Sequence, residues 1–453
     1  MIELEPKERP GVNADILNPT EEGWNDKVDS LRQALGAPKN PFLFPPHFVK
    51  RTLVSIGGSV IEFKDGNELL GAGFIFPRIG ENGIGYTLRL HDISGKLQAG
   101  KAHSLTEEAI RDKYGKPFPV YAYIPERSGY GERSSVSARD GLSIERTSED
   151  AASEIRNLQR GIWGVLNDDF LYPEDIHTPG FSLPTSLIAY VDSNPVGFLF
   201  GFDKFSYKEI PTALRGYIGN STTRQESQLM GVLPDQRSRG IGTKLKIKQA
   251  EQALQDGTEI INWTFDPLVS QNAVLNINIL RGIIWEHYPN YYSFSGANKL
   301  NQVEASRFSV NWMITSPRVR GVFEDGQVGH SNGRILEELK EGIIPIITST
   351  RKIGFIGGEE TRAIERNYMH FVEHPRIAIE IPVNWTTIQD NDIQLAQEWR
   401  GVTDDIFQEY VGTSEGKYAI TDVVIVGEKD AITRVFLIGR AIAQIDKVFL
   451  EKS

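Results

Sequence analysis

The stretch QLMGVLPDQRSRGIGTKLKIKQ, residues 228–249, contains the pattern that decides the fold. It begins as a buried β-strand and ends as an α-helix that Gly257 would close. Between them, Arg237, Gly240 and Gly242 give the spacing R-x-x-G-x-G. Glycine lets a backbone approach a ligand closely, and the first N–H groups of a helix lack intrahelical partners. The stretch therefore predicts a strand, a turn and a helix whose N-terminus binds an anionic group such as phosphate.

Two residue types in this stretch each admit two interpretations. Lys244, Lys246 and Lys248 oppose the helix dipole unless a bound phosphate neutralises it, and they suit a solvated helix face equally well. Gly231 lies within the strand, where glycine marks a β-bulge or a group that comes close to the backbone. A dinucleotide-binding turn would have a third glycine where this chain has Leu245. The pattern thus favours a phosphate-binding turn over a dinucleotide fold.

The neighbouring segments alternate between strand and helix patterns. Apolar runs predict strands, and apolar residues at helical spacing predict helices. The predicted strands are LSIERT (142–147), LIAYV (187–191), PVGFLFGF (195–202), EIINWTF (259–265) and RFSVNWMI (307–314). Predicted helices cover 148–164 and 270 to about 281. The fold class is therefore mixed α/β (α+β).

Length and composition predict how the chain is divided. For 453 residues, at roughly 150 per domain, two or three domains are expected. The stretch ERSGYGERSSVSARDG, which starts at Glu126, is rich in Gly, Ser and charged residues, as an exposed connector would be. We therefore predict a first domain over 1–128, a linker over 129–140, a second domain over 141–316 and a C-terminal α/β extension over 317–453.

A faint internal repeat relates the first two predicted domains. FLFP (42–45) precedes Gly71 by nearly the distance at which FLYP (170–173) precedes Gly197. The strand-like TLRL and YAYIP are likewise spaced as LMGV and WTFDP are. These spacings favour a duplication, although two α/β domains can share them by chance.

Charge and composition exclude several classes of function. The net charge is −11, which argues against general nucleic-acid or anionic-membrane binding. The absence of cysteine excludes disulfides, thiolate metal sites and a cysteine nucleophile. The acidic start lacks an apolar core, and no run approaches the roughly 20 apolar residues that span a bilayer. We expect a cytoplasmic protein without nucleic-acid or membrane partners; the sequence leaves its oligomeric state open.

The stretch 228–249 resembles the acetyl-CoA-binding motif of the GCN5-related N-acetyltransferase (GNAT) superfamily, whose signature Q/R-x-x-G-x-G/A follows its fourth strand. Other segments are similar to a poorly characterised branch of predicted acetyltransferases in that superfamily: NLQRGIWG, WTFDPLVSQNAVLNINIL, HYPNYY, RFSVNWMI, IPVNW and LAQEWR. The similarity covers about residues 141–430. It implies tandem GNAT-like units of which the first is degenerate, because GKLQAG (95–100) stands where the second has RSRGIG. That first unit is expected not to bind coenzyme A.

The resemblance also implies an activity and a binding site. The activity would be transfer of an acetyl group from acetyl-CoA to the amine of a small molecule or peptide by direct attack, without a metal. The backbone of the turn would cradle the pyrophosphate, and the strand edge would bind the pantetheine amides as an added peptide strand does. The residues implied are Met230, Gly231, Val232, Leu233, Arg237, Ser238, Arg239, Gly240, Ile241, Gly242 and Thr243, with Asn272 near the coenzyme.

Two catalytic candidates follow from the same resemblance. Histone-acetylating members place a glutamate base eleven residues before the first signature residue, which is Glu226 here; a solvated strand-end carboxylate is the alternative. Many members have a general-acid tyrosine in the helix that here carries Asn276 and Asn278. Tyr288, Tyr291 and Tyr292 are the nearest replacements, although the pattern favours a packed interfacial aromatic residue for each of them.

Two rival functions stay open. The first rival is a zinc hydrolase: His370, Glu373 and His374 spell H-x-x-E-H, the pattern that in inverted zinc peptidases places two imidazoles on one helix face with a carboxylate base. The preceding ETRAIERNYM (360–369) is compatible with a helix, whereas Pro375 disfavours helical geometry at His374. The other rival is a coenzyme A-binding or interaction protein without turnover, which the degenerate first copy and the missing tyrosine would suit.

Overall fold

The computed structural model describes residues 11–37, 39–80, 83–127, 141–148, 150–164, 171–178, 185–206, 210–218, 223–291, 303–324, 333–357, 359–428 and 431–449. The chain forms two compact units. The first contains Met1–Ser206 and Glu226–Gln252, and the second contains Tyr207–Gln225 and Ala253–Ser453. The predicted linker 129–140 lies outside the described residues. The predicted mixed α/β class is confirmed.

The N-terminal half of the first unit is a five-stranded sheet in the order β1-β2-β3-β4-β5. Its neighbouring strands are antiparallel except β4 and β5, which run parallel because α3 connects them. The elements are β1 (Val12–Ile16), α1 (Trp24–Ala34), α2 (Leu53–Ser55), β2 (Ser59–Asp65), β3 (Glu68–Gly80), β4 (Gly83–Asp92), α3 (Ala99–Tyr114) and β5 (Val120–Tyr123).

The second half of the first unit contains the stretch that decided the fold. The elements are β6 (Leu142–Arg146), α4 (Ala152–Trp163), a short helix (Glu174–His177), β7 (Thr185–Val191), β8 (Asn194–Phe205), β9 (Thr223–Val232) and α5 (Ile241–Gln255). β6, β7 and β8 pair in antiparallel register. Asp192 and Ser193 join β7 to β8 with φ of 48° and 64°, the left-handed conformation of tight hairpin turns. Gly257 follows α5 with φ 75°, as the sequence predicts.

The second unit contains strands in the order β15-β17-β16-β11-β12-β10 and a separate β13-β14 hairpin. Its strands are β10 (Ile260–Phe265), β11 (Ile283–Tyr288), β12 (Arg307–Met313), β13 (Ser349–Ile356), β14 (Glu359–Glu365), β15 (Arg376–Ile381), β16 (Tyr418–Glu428) and β17 (Ala431–Ala441). Its helices are α6 (Ser270–Ala273), continued by a π-helical turn (Val274–Ile279), α7 (Pro317–Glu324), α8 (Gly333–Lys340), α9 (Trp385–Asn391) and α10 (Ile393–Tyr410). Among the described residues, no helix is long and apolar enough to cross a membrane.

The order of elements along the chain repeats. From β1 to β5 the order is strand, helix, short helix, three strands, helix and strand. From β6 to β10 the order is the same, with two additional short helices, Thr212–Tyr217 before β9 and Pro234–Gln236 after it. Gly100 lies in the first turn of α3 as Gly242 does in α5, and Gly115 ends α3 as Gly257 follows α5. The pairs of spacings seen in the sequence therefore fall on matching elements.

One aromatic core joins the two halves of the first unit. Phe44 lies at centroid distances of 6.0 Å from Tyr172 and 6.4 Å from Phe202. Phe48 lies 5.0 Å from Phe202 and 5.7 Å from Tyr172. All four side chains are fully buried or nearly so. The FLFP segment and the segment after α4 thus share one hydrophobic cluster with β8.

Candidate functional site

The turn between β9 and α5 has the backbone of an anion cradle. A short helix (Pro234–Gln236) follows β9, and Ser238 and Gly240 then adopt left-handed φ of 62° and 74°. Lys244 N–H donates to the Gly240 carbonyl at 3.0 Å, which is the first hydrogen bond of α5. A Cβ on Gly240 would meet no atom within 4 Å, so the glycine serves the backbone conformation and leaves the space beside it open.

The backbone N–H groups of this turn are its candidate hydrogen-bond donors to an anion. In the part of the chain that the structure describes, the backbone N–H groups from Ser238 to Thr243 donate to no other protein group. Such consecutive donors at the positive end of a helix of 15 residues bind phosphate oxygens. Pyrophosphate binding by the residues of this turn stays a prediction.

The two arginines of the turn stabilise its shape. Arg237 Nε donates to the Val232 carbonyl at 3.2 Å, and Arg239 Nη1 donates to Gln236 Oε1 at 3.0 Å. Both side chains are exposed. Each guanidinium keeps further N–H donors beyond these bonds, so both residues can also pair with a phosphate.

Side chains along β9 do not alternate regularly. Ser227 contacts Lys246 of α5, and Met230 packs on the α5 side of the strand. Gln228 and Leu229, although consecutive, both face the opposite side, toward Tyr172 and its cluster. Two successive side chains on one face mark a β-bulge, because the normal period of a strand is two. This irregularity lies two residues before Gly231, the position at which the sequence indicates a bulge, and directly before the residues proposed to bind pantetheine.

Gly231 has a packing reason of its own. A Cβ at this position would lie 2.7 Å from Ile162 Cδ1, 3.1 Å from Phe198 and 3.4 Å from Trp163. A larger residue at this position would require the Ile162 side chain at the end of α4 to shift, so the packing here favours glycine. The sequence allows either a bulge at Gly231 or a group that comes close to its backbone. In the structure, side chains of the same unit come close to that backbone.

The lysines of α5 do not form one face. Lys244 is exposed, and Lys248 pairs with Glu251 at 2.9 Å on the surface. Lys246 is buried and donates to Ser227 Oγ at 2.7 Å. Burial lowers the pKa of the Lys246 ammonium well below its usual range, and the nearby Glu226 carboxylate acts in the opposite direction. Lys246 therefore belongs neither to a solvated lysine face nor to a lysine face that contacts phosphate, and both interpretations are wrong for this residue.

Glu226 is buried and paired. Its Oε2 lies 2.8 Å from Lys204 Nζ of β8, with 10% and 9% of the two side chains exposed. The alternative of a solvated strand-end carboxylate is therefore wrong. The sequence analysis missed Lys204. If Glu226 acts as a general base, it does so while it is paired with this lysine.

The other predicted site residues lie in the second unit. Asn272 is exposed in α6. Tyr288 donates to Glu286 Oε1 at 2.9 Å and lies 5.8 Å from the Tyr291 ring. Tyr292 lies outside the described residues.

The asparagines at the position of the missing tyrosine have structural partners. Asn276 Oδ1 accepts from Trp263 Nε1 at 3.1 Å. Asn278 donates to the Val423 carbonyl at 2.8 Å and accepts from the Val423 N–H at 2.9 Å. These bonds explain why amide side chains occupy this helix.

The H-x-x-E-H segment is not helical. ETRAIERNYM lies partly in β14, so the helix that the sequence allows does not form there; pairing with β13 outweighs the local helical pattern. His370 Nδ1 lies 2.8 Å from Glu409, and His374 Nδ1 lies 2.6 Å from the Arg376 carbonyl. In the described part of the chain, no group of three or more His, Asp or Glu side chains could hold a metal ion.

The loop between β4 and α3 is capped by a side chain. Asp92 Oδ1, at the end of β4, accepts from the Gly95 N–H at 2.9 Å and from Ser94 Oγ at 3.1 Å. An aspartate that binds its own loop in this way supplies negative charge within it. The absence of coenzyme A binding in the N-terminal half stays a prediction.

Comparisons with known proteins find likeness in structure but not in sequence. No protein-family model and no curated protein matches the chain. A GNAT-family acetyltransferase from Streptococcus pneumoniae is 13% identical, with a TM-score of 0.27, over 38% of this chain and 98% of its own. Naa50 of Arabidopsis thaliana, solved with a bisubstrate analogue, is 13% identical, with a TM-score of 0.26, over 38% of this chain and 97% of its own. The polyamine N-acetyltransferase of Drosophila melanogaster is 11% identical, with a TM-score of 0.27, over 38% of this chain and 98% of its own. Similarity at this level establishes neither family nor function for this chain.

Proposed function

We propose that this protein is an acyl-CoA-dependent acyltransferase of the GNAT type, an N-acetyltransferase that uses acetyl-CoA and an amine of a small molecule or peptide. One observation carries the proposal. Among the described residues, the backbone N–H groups from Ser238 to Thr243 have no protein acceptor, and a Cβ on Gly240 would meet no atom within 4 Å. A pyrophosphate supplies the oxygens that these donors need.

The bulged strand supports the same ligand. A bulge interrupts regular pairing and leaves backbone groups available for a ligand that binds as an added strand. Met230, Gly231, Val232 and Leu233 follow the bulge directly and lead into the turn. The Leu233 N–H already donates to the Val196 carbonyl, and the Leu233 carbonyl accepts from the Gln236 N–H, each at 2.9 Å. We propose that the backbone of Met230, Gly231 and Val232 binds the pantetheine amides, with Leu233 and Asn272 as further contacts.

The proposed reaction requires a base. An amine resembling lysine has a pKa near 10.4, so it is protonated at pH 7 and cannot attack before losing a proton. Acetyl-CoA supplies the activated acyl group as a thioester. We propose Glu226 as the base, with Tyr288 as the candidate acid. The pairing of Glu226 with Lys204 favours a second candidate function, coenzyme binding without turnover.

The first half of the chain is proposed to be a degenerate copy of the second. The repeated order of elements and the matching positions of Gly100 and Gly242 support a duplication, and Asp92 supports the loss of binding. The domain limits at 1–128, 141–316 and 317–453 stay proposals.

Calorimetric titration with acetyl-CoA and longer acyl-CoAs tests the binding step, and an acceptor screen with the tightest binder tests transfer. Binding together with release of free coenzyme A in the presence of an amine supports the transferase. Binding without acyl transfer or hydrolysis supports the second candidate. Absence of binding contradicts both.

A further inference from the structure

Tyr172 is held at every polar atom. Its N–H donates to Gln159 Oε1 at 2.7 Å, and its carbonyl accepts from Arg156 Nη1 at 2.5 Å. Its hydroxyl oxygen accepts from Gln228 Nε2 at 2.7 Å and lies 3.4 Å from His47 Nε2. The side chain is fully buried. Two bonds fix this residue to α4, and a third connects it to β9.

The bond to Gln228 falls on the irregular part of β9. Gln228 is the first of the two consecutive residues that share a face. A bulge is a local distortion, and a strand can lose it by shifting its side chains by one residue. A hydrogen bond from the first bulge residue to a rigid partner opposes that shift. The partner is rigid here because Tyr172 is fixed by α4 and by close packing.

The N-terminal half supplies much of that packing. The rings of Phe44, His47 and Phe48 lie at centroid distances of 6.0, 6.2 and 5.7 Å from the Tyr172 ring. These rings come from the segment around FLFP, in the half proposed to be a degenerate copy. Its aromatic side chains thus surround the residue that contacts the bulge of β9.

We infer that Tyr172 is a positioning residue for coenzyme binding: its hydroxyl holds Gln228, and through it the bulge of β9, while Phe44, His47 and Phe48 of the N-terminal half hold Tyr172. This inference rests on the proposed function. It gives the N-terminal half a role in affinity for acetyl-CoA without a ligand of its own.

The test is the affinity of the full chain and its Tyr172→Phe variant for acetyl-CoA, measured by calorimetric titration. The substitution removes one hydroxyl and keeps the ring. The expected result is a dissociation constant raised about two- to ten-fold, the effect of losing one hydrogen bond. If the protein turns over, KM for acetyl-CoA rises by the same factor and kcat does not change.

Tyr190→Phe is the matched control. Tyr190 belongs to the same cluster, and its hydroxyl donates to Glu154 at 2.8 Å on α4. Removal of the Tyr190 hydroxyl should leave the affinity for acetyl-CoA unchanged. Gln228→Met should weaken binding as Tyr172→Phe does, and the double variant should be no weaker than either single one.

The possible outcomes separate the two claims. If the unmodified chain does not bind acetyl-CoA, the proposed function is overturned. If it binds, and Tyr172→Phe and Tyr190→Phe bind equally well, the inference is overturned while the function stands. Additive effects of Tyr172→Phe and Gln228→Met also overturn it, because residues that act through one bond are coupled.

Discussion

The Lys204 ammonium nitrogen lies 2.8 Å from Glu226 Oε2, and both side chains are almost completely buried. On the other face of β9, the buried Lys246 ammonium donates to Ser227. Because Glu226 also attracts Lys246, its carboxylate balances buried positive charge from β8 and α5. Removal of one partner from a buried pair leaves an uncompensated charge, which is strongly destabilising. Glu226 therefore has a structural role, the neutralisation of buried positive charge, besides the catalytic role proposed for it.

Replacement of Glu226 by glutamine separates these two tasks. If Glu226 is the base, turnover falls roughly 10²–10⁴-fold while affinity for acetyl-CoA stays the same, since a general base acts on the acceptor rather than on the coenzyme. Steady-state kinetics and calorimetry with the purified variant measure both. A turnover number equal to that of the unmodified chain across pH 6–9, with lower stability, would assign Glu226 to charge balance alone. The next candidates for the base would then be Tyr288 and Asp266, which directly follows β10 and accepts a hydrogen bond from Arg400 at 2.5 Å.

The buried pair of Arg89 and Asp175 gives a stability prediction for the first unit. Arg89 Nε and Nη2 donate to the two Asp175 oxygens at 2.8 and 2.7 Å, and neither side chain is exposed. Asp175→Asn should lower the free energy of unfolding by about 3–5 kcal/mol, because the guanidinium loses its counter-charge. Urea denaturation measures this. Glu21→Gln, in the exposed pair with Lys27, is the control and should cause almost no change. Equal effects of the two substitutions would contradict the prediction.

His177 predicts a pH dependence of stability. Burial, with a smaller contribution from Arg156, lowers the pKa of its imidazole to about 3. Between pH 6.5 and 3 the unfolded chain binds a proton at this residue and the folded chain does not. The free energy of unfolding therefore falls by up to about 1.4 kcal/mol per pH unit as pH decreases from 6.5.

Denaturation of the unmodified chain and of His177→Gln between pH 7 and pH 5 measures this contribution. The variant should be less stable at pH 7, because it loses the bond to Ser186, yet its stability should depend less on pH. His103, which is about one-third exposed, provides the control, since His103→Gln should keep the original slope. Parallel slopes for all three proteins would refute the assignment to His177.

The sequence predicts local elements well where one pattern dominates. α5, its closing glycine and the β7–β8 turn all follow from residues close to one another in the chain. The burial of Lys246 depends instead on β9 packing across it, and Gly231 is explained by Ile162 and Trp163, which come from α4. These contacts join segments far apart in sequence, so periodicity cannot reveal them.

The same limit applies to the site. The turn from Arg237 to Thr243 is a local motif, and its geometry follows from its glycines. The hydrogen bond between Tyr172 and Gln228 joins the segment after α4 to β9. No spacing in the sequence indicates this contact. A β-strand covers 359–365 because β13 lies beside it, whereas the local pattern allows a helix.

The claim that the turn after β9 binds acetyl-CoA has a matched pair of variants. A Cβ at Gly242 would make an ordinary contact with Met230 at 3.6 Å, and one at Gly100 would meet nothing within 4 Å. A glutamate in the first turn of a helix favours the fold through the helix dipole. Gly242→Glu and Gly100→Glu should therefore both fold, while only the former places a carboxylate beside the proposed pyrophosphate.

Calorimetric titration of the unmodified chain, Gly242→Glu and Gly100→Glu with acetyl-CoA is the most direct test of this account. It predicts saturable binding by the unmodified chain, the same affinity in Gly100→Glu, and no measurable binding in Gly242→Glu. Unchanged affinity in Gly242→Glu, or no binding by the unmodified chain, would contradict it.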